Sequence, residues 1–291
     1  MRAFAWFFGL ILLGLAGIAA LAYPLYELVT PALDAPFHRV ASRTGMLILV
    51  IGFVLVARRL HLSDRASLGY GLRRPLFLRE TGIGLALGVA TMLPIVLVMV
   101  ALDLRDLREG VTLDVATFMR LLFKGLTSGL AVALIEETFL RGAMHSGIAR
   151  ESGTRLAVLL TALVYSATHF IGKYRIPAEQ VGPGSGIDLL AGSLAAFGDP
   201  ARIADAFLCL FAVGLLLGMV RALTGNIAAC IGLHAGWVWV ITFVRETSVR
   251  DEASEWNFLL SRFDGVVGWM VLAWTFVIGP VLWRYYRSRR S

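Results

Sequence analysis

TGIGLALGVATMLPIVLVMVAL, residues 81–102, is 22 residues long and carries no ionisable side chain. As a helix it rises about 33 Å, enough to cross a hydrocarbon core of about 30 Å. Every backbone amide in lipid must be paired within its own segment, so such a run is a helix. Similar runs recur near 4–29, 44–58, 115–149, 155–172, 203–222, 226–245 and 265–285. The expected fold is therefore all-α, a polytopic transmembrane helix bundle of about eight spans. The ten-residue alternation of outer-membrane strands is absent. Composition agrees: 58% of residues are hydrophobic and 16% charged, too little charge to cover a soluble surface. The run at 115–149 exceeds one simple crossing and is expected to tilt, to kink near Gly125 or Gly129, or to project from the bilayer. No repeat or linker divides the chain. It reads as one integral membrane domain, 1–291, with a core at 115–245.

The formal net charge is +7, and most cations are arginines placed between apolar runs. In that position they orient the chain in a lipid bilayer rather than bind nucleic acid. Arg58, Arg59, Arg65, Arg73, Arg74 and Arg79 face only Asp64 and Glu80 in one connection. The positive-inside rule assigns this connection to the cytoplasm. Two spans precede it, so the chain's start is expected there too, and Arg284, Arg287, Arg289 and Arg290 place its end on the same side. The segments 103–115 and 246–264 balance acid and base, as outside loops do. The expected location is a bacterial plasma membrane with both termini cytoplasmic. The first apolar run is long for a signal peptide and is expected to stay as an uncleaved helix. Cys209 and Cys230 lie in apolar runs without metal-site spacing and read as packing residues.

Ionisable residues inside spans are costly and are functional by default. Most charges here sit at span ends. The exception is Ala133-Leu134-Ile135-Glu136-Glu137-Thr138-Phe139-Leu140-Arg141-Gly142. Glu137 and Arg141 are spaced i,i+4 and share a helix face, so they are expected to pair. Glu136 points about 100° away and has no partner nearby in sequence. A carboxylate in that setting suits a general base. His169 follows a polar turn at 150–154. Glu136 lies 16 residues before Ser152 and His169 lies 17 after it. In an antiparallel hairpin both reach a depth of about 20 Å, so they can meet. His234 lies in a further span, flanked by small residues that let another helix or a substrate backbone approach closely. His145, eight residues after Glu137 on roughly the same face, is expected to extend the Glu137–Arg141 network.

In order and spacing, Glu136-Glu137-x-x-x-Arg141, then His169, then His234 resemble the EExxxR, FxxxH and HxxxN motifs of the CAAX-prenyl-protease (CPBP) family. That family contains the eukaryotic CAAX-prenyl endopeptidases and many bacterial relatives, some linked to bacteriocin self-immunity. The likeness spans roughly residues 134–238. It departs at two positions. Tyr165 stands where the family has Phe, which keeps a ring four residues before the His. Val238 stands where the family has an Asn that helps its His hold an oxyanion. Valine cannot donate a hydrogen bond. His234 then works alone, Asn226 or a backbone amide substitutes, or activity is reduced. Losing one oxyanion donor costs about 10²–10³ in rate.

The resemblance implies hydrolysis of peptide bonds in a membrane-associated peptide or protein, within or at the edge of the bilayer. Glu136 would polarise a water with help from His169, and His234 would stabilise the tetrahedral oxyanion. Glu137 and Arg141 would hold the helix geometry, with Tyr165, Asn226 and Val238 as candidates to line a substrate pocket. The family is described both as metalloproteases and as glutamate proteases. Glu136, His169 and His234 are the candidate zinc ligands, with a fourth position open to water. The glutamate mechanism needs no metal, and HExxH is absent. Two other classes stay open: a non-catalytic scaffold or immunity protein, to which Val238 points, and a transporter, whose pseudo-repeated halves are not seen.

Overall fold

The computed structural model describes residues 1–171 and 174–289; Arg290, one of the C-terminal arginines, lies outside the described residues. The helices are α1 (Arg2–Val29), α2 (Phe37–Arg59), α3 (Arg74–Ala101), α4 (Val115–Glu137), α5 (His145–Ser152), α6 (Thr154–Thr168), α7 (Ser185–Leu194), α8 (Pro200–Thr224), α9 (Ala228–Thr247) and α10 (Trp269–Ser288). A π-helical stretch, Thr138–Met144, joins α4 to α5. Strands β1 (Arg105–Leu107) and β2 (Ser248–Arg250) pair antiparallel, with Asp106 opposite Val249.

Among the described residues six helices are long and apolar enough to cross a membrane: α1, α2, α3, the continuous Val115–Ser152 helix, α8 and α9. The expected runs at 155–172 and 265–285 form α6 and α10. At 15 residues α6 rises only about 22 Å, short of the core thickness. In α10, Trp, Tyr and Arg side chains dilute the apolar character. The Val115–Ser152 helix has 38 residues. Its irregularity falls at Thr138–Met144, beyond Gly125 and Gly129, which are packing contacts instead.

Hydrogen bonds fix which ends share a face. The Ala3 amide donates to Glu151 at the end of α5. Arg150 donates to the His61 carbonyl, the Ile227 amide to the Gly69 carbonyl, and Arg289 to Glu80. The start of α1, the end of α10 and the arginine-rich 58–80 connection therefore lie on one side, the basic face. The β1–β2 ribbon lies on the other.

Two of the glycines at the basic face make tight turns between helices. Gly153, at φ +87°, reverses the chain between α5 and α6, and Gly225, at φ +70°, caps α8 in the left-handed region. At the other face the Asp114 carboxylate caps α4 by accepting from the Thr117 amide at 2.7 Å. That backbone hydrogen bond holds the Asp114 carboxyl below its ordinary range.

Lipid tails are as apolar as leucine, so packing of small residues rather than exclusion of water holds such helices together. α9 is gripped on two sides in this way. A Cβ on Gly88 of α3 would stand 2.5 Å from the Leu233 carbonyl oxygen, and one on Gly236 would stand 2.6 Å from that of Leu85. Gly84 and Gly232 make the same close approach one turn earlier. From the opposite side, a Cβ on Gly129 of α4 would stand 2.7 Å from the Ala235 carbonyl oxygen. α6 seats on α8 through Gly214, where an added Cβ would meet the Ala162 Cα at 2.9 Å. Trp237 and Trp274 both donate to Thr91 of α3, at 3.0 and 2.7 Å. Large apolar side chains such as Leu97, Val100 and Phe276 point outward, as a lipid-facing surface requires.

Candidate active site

The π-helical stretch begins directly after the Glu136–Glu137 pair. Such a stretch widens the helix by one residue and recurs at functional sites. Neighbours hold it in place. A Cβ on Gly142 would stand 2.6 Å from the Leu68 carbonyl oxygen, so only glycine admits that loop. The Tyr70 and Thr138 hydroxyls are 2.6 Å apart. From α8, Arg221 Nε donates to the Arg141 carbonyl at 2.9 Å.

Glu137 and Arg141 are completely buried, with Arg141 Nη1 3.0 Å from Glu137 Oε1. Arg141 Nη2 donates to the Gly214 carbonyl at 3.2 Å, which ties the pair to α8. The same Glu137 Oε1 accepts from His234 Nδ1 at 2.8 Å. A carboxylate only accepts, so Nδ1 carries the proton and Nε2 is turned away from Glu137. That Nε2 stands 4.0 Å from Oε2 of Glu136. Two hydrogen bonds of about 2.8 Å to one water bridge a gap of this size. Glu136 keeps 33% of its side chain exposed, whereas Oε2 itself is buried without a hydrogen-bond partner among the described residues.

Tyr165 is the hub of the cluster. Its buried ring meets His169 edge-on with centroids 4.4 Å apart and His234 with centroids 5.9 Å apart. The Arg141 guanidinium lies over it at 4.6 Å, a cation–π contact. His169 Nδ1 lies 2.7 Å from the Tyr165 carbonyl oxygen. The carbonyl only accepts, so this nitrogen also carries the proton and the lone pair is on Nε2.

The structure thus gathers Glu136, Glu137, Arg141, Tyr165, His169 and His234 into one cluster drawn from α4, the π-helical stretch, α6 and α9. It does not gather Asn226. That side chain donates to the Thr224 carbonyl at 2.9 Å and accepts from the Ala228 amide at 3.0 Å, so it serves the turn into α9. His234 lies about 12 Å farther along the chain's rise. Val238 lies one turn past His234 and is partly buried. The small residues beside His234 admit α3, through Gly232 and Gly236. His145 is buried, and its Nδ1 has no partner among the described residues; it makes no hydrogen bond to Glu137 or Arg141.

Among the described residues no group of three or more His, Cys, Asp or Glu side chains is placed to hold an ion. His234 Nδ1 and Glu137 Oε1 are committed to each other.

Two parts of the arrangement escape sequence reading. The Glu137–His234 hydrogen bond joins residues 97 positions apart, and no local pattern announces it. Arg221 ends an apolar run and passes for a span-end cation, yet it is 8% exposed. The absence of an acid within four residues of it in the sequence is the one signal that could have marked it.

No curated protein and no solved structure matches the chain. Residues 118–240, which include every member of the cluster, match the family model described as type II CAAX prenyl endopeptidase Rce1-like. Over those residues the chain is similar to the Rce1-like CAAX-prenyl endopeptidases.

Proposed function

We propose that this protein is an intramembrane endopeptidase that cleaves membrane-associated substrates with a water held between Glu136 and His234. The observation that carries this reading is the 4.0 Å gap between Glu136 Oε2 and His234 Nε2, inside an Rce1-like domain. Glu136 takes a proton from the water as its oxygen bonds to the scissile carbonyl carbon. The tetrahedral oxyanion is met by His234. Because Nδ1–H is already given to Glu137, donation from Nε2 requires the imidazolium, with a proton on both nitrogens. Collapse breaks the C–N bond. The leaving amine takes up a proton relayed from Glu136, with His169 Nε2 assisting, and the new carboxylate departs.

Glu137 orients His234, and Arg141 balances the charge of Glu137. An isolated charge there would cost several kcal/mol, by the usual penalty for breaking a buried pair. The exposed third of Glu136 supplies the access that an extended substrate needs. We place the basic face in the cytoplasm of a bacterial cell, on the charge asymmetry of the 58–80 connection.

Val238 favours a second reading, a scaffold or immunity protein with little catalysis. A library of membrane-anchored peptides in proteoliposomes, with wild type beside Glu136→Gln, separates the two. Cleavage that requires Glu136 supports the enzyme, and none across a broad library supports the scaffold.

A further inference from the structure

The basic face holds a polar cavity of about 340 Å³, lined by Ser67, His145, Ser146, Arg150, Thr154 and Arg221 among others. Among the described residues none that lines it is a carboxylate. Two guanidinium groups share it. Arg221 is 8% exposed, donates through Nη2 to the Ser146 hydroxyl at 3.3 Å, and pairs with no carboxylate among the described residues. Arg150 donates to the His61 carbonyl and the Ser67 hydroxyl, again without an acidic partner among them. The nearby Asp64 is engaged by the amide and hydroxyl of Ser67. His145 is 4% exposed, and its Nδ1 is buried without a partner among the described residues.

A buried cation without a counter-charge is strongly destabilising, and a bound anion offsets that cost. Arginine forks match phosphate oxygens two at a time, and serine and threonine hydroxyls satisfy the rest. We infer that this cavity is a phosphate-binding site, with Arg150 and Arg221 supplying the charge and His145 and Thr154 further hydrogen bonds. It lies where α5 and α8 end at the basic face, within reach of a lipid headgroup and of a free phosphate alike. Arg221 also holds the Arg141 carbonyl, so a seated phosphate steadies the π-helical stretch beside the cluster. The site does not depend on the proteolytic reading.

Phosphorus-31 NMR and thermal unfolding of the purified full chain test this. One arm titrates inorganic phosphate in detergent at constant ionic strength. The other reconstitutes the protein in nanodiscs of zwitterionic lipid with and without phosphatidylglycerol. Saturable binding with a rise in melting temperature is expected, weakened about tenfold or more in Arg150→Gln, the size of one lost charge-assisted bond. Saturation by free phosphate identifies a small phosphate ligand. Response to phosphatidylglycerol alone identifies a lipid headgroup. Arg150 is exposed, so its variant folds even if Arg221→Gln does not. Absence of saturable binding in both arms, or binding unchanged in Arg150→Gln, overturns the assignment.

Discussion

Nδ1 of His234 donates to Oε1 of Glu137 across 2.8 Å, with both side chains buried. The hydrogen bond fixes the imidazole tautomer and turns Nε2 toward Glu136. Carboxylate–histidine pairs of this kind set ring orientation in catalytic sites. Glu137→Gln keeps the volume but removes the carboxylate charge that the doubly protonated His234 of the proposed step requires. Its kcat is expected to fall by up to about 10⁴-fold, the loss seen when a buried carboxylate partner of a catalytic His becomes an amide. Steady-state kinetics on a cleaved peptide checks this, and an unchanged kcat would remove Glu137 from the mechanism.

The close α3–α9 crossing makes a stability prediction. A side chain at Gly88 meets the backbone of Leu233 and Gly236, which cannot move aside as a flexible side chain can. Gly88→Val is expected to destabilise the protein by about 1–3 kcal/mol or more, as overpacking does. Thermal unfolding in detergent reads the effect. Gly82, where an added Cβ meets nothing within 4 Å, is the control, and equal melting temperatures for the two variants would contradict the packing described.

Val238 lies four residues after His234 on the same helix face. Val238→Asn restores an amide donor where the family motif has one. Turnover is expected to rise, by on the order of tenfold, with the ceiling set by the 10²–10³ that one oxyanion donor contributes. Initial rates of wild type and variant decide it. No change would mean that another donor already meets the oxyanion.

Much of the cluster was legible in the sequence, for a physical reason. Glu136, Glu137 and Arg141 are ionisable groups in an apolar run, and helix geometry alone separates a paired acid from an unpaired one. The equal distances of Glu136 and His169 from their shared turn likewise placed both at one depth. The partnership of Glu137 with His234 was not legible, because it depends on how α9 is gripped between α3 and α4. Nor was the π-helical stretch, since Thr138–Met144 has no proline or other local signal to announce it. Asn226 looked like a spare donor because its type suited the chemistry. Its position just past Gly225 makes it a turn residue instead. The short α6 and the aromatic-rich α10 explain why eight apolar runs yield six helices of full spanning length and hydropathy.

The proposed mechanism also makes a prediction about metal. In it Glu136 activates the water, and that step needs no metal. Activity is expected to persist in full after chelation, with metal content checked by elemental analysis. Loss on chelation and recovery on adding zinc would overturn this mechanism.

The most direct measurement is the turnover number of Glu136→Gln on a peptide that the wild-type protein cleaves, taken beside its melting temperature. The account predicts a fall of at least about 10³-fold, the upper part of the range for a lost general base together with its charge, at an unchanged melting temperature. Wild-type turnover by a folded Glu136→Gln protein would contradict it.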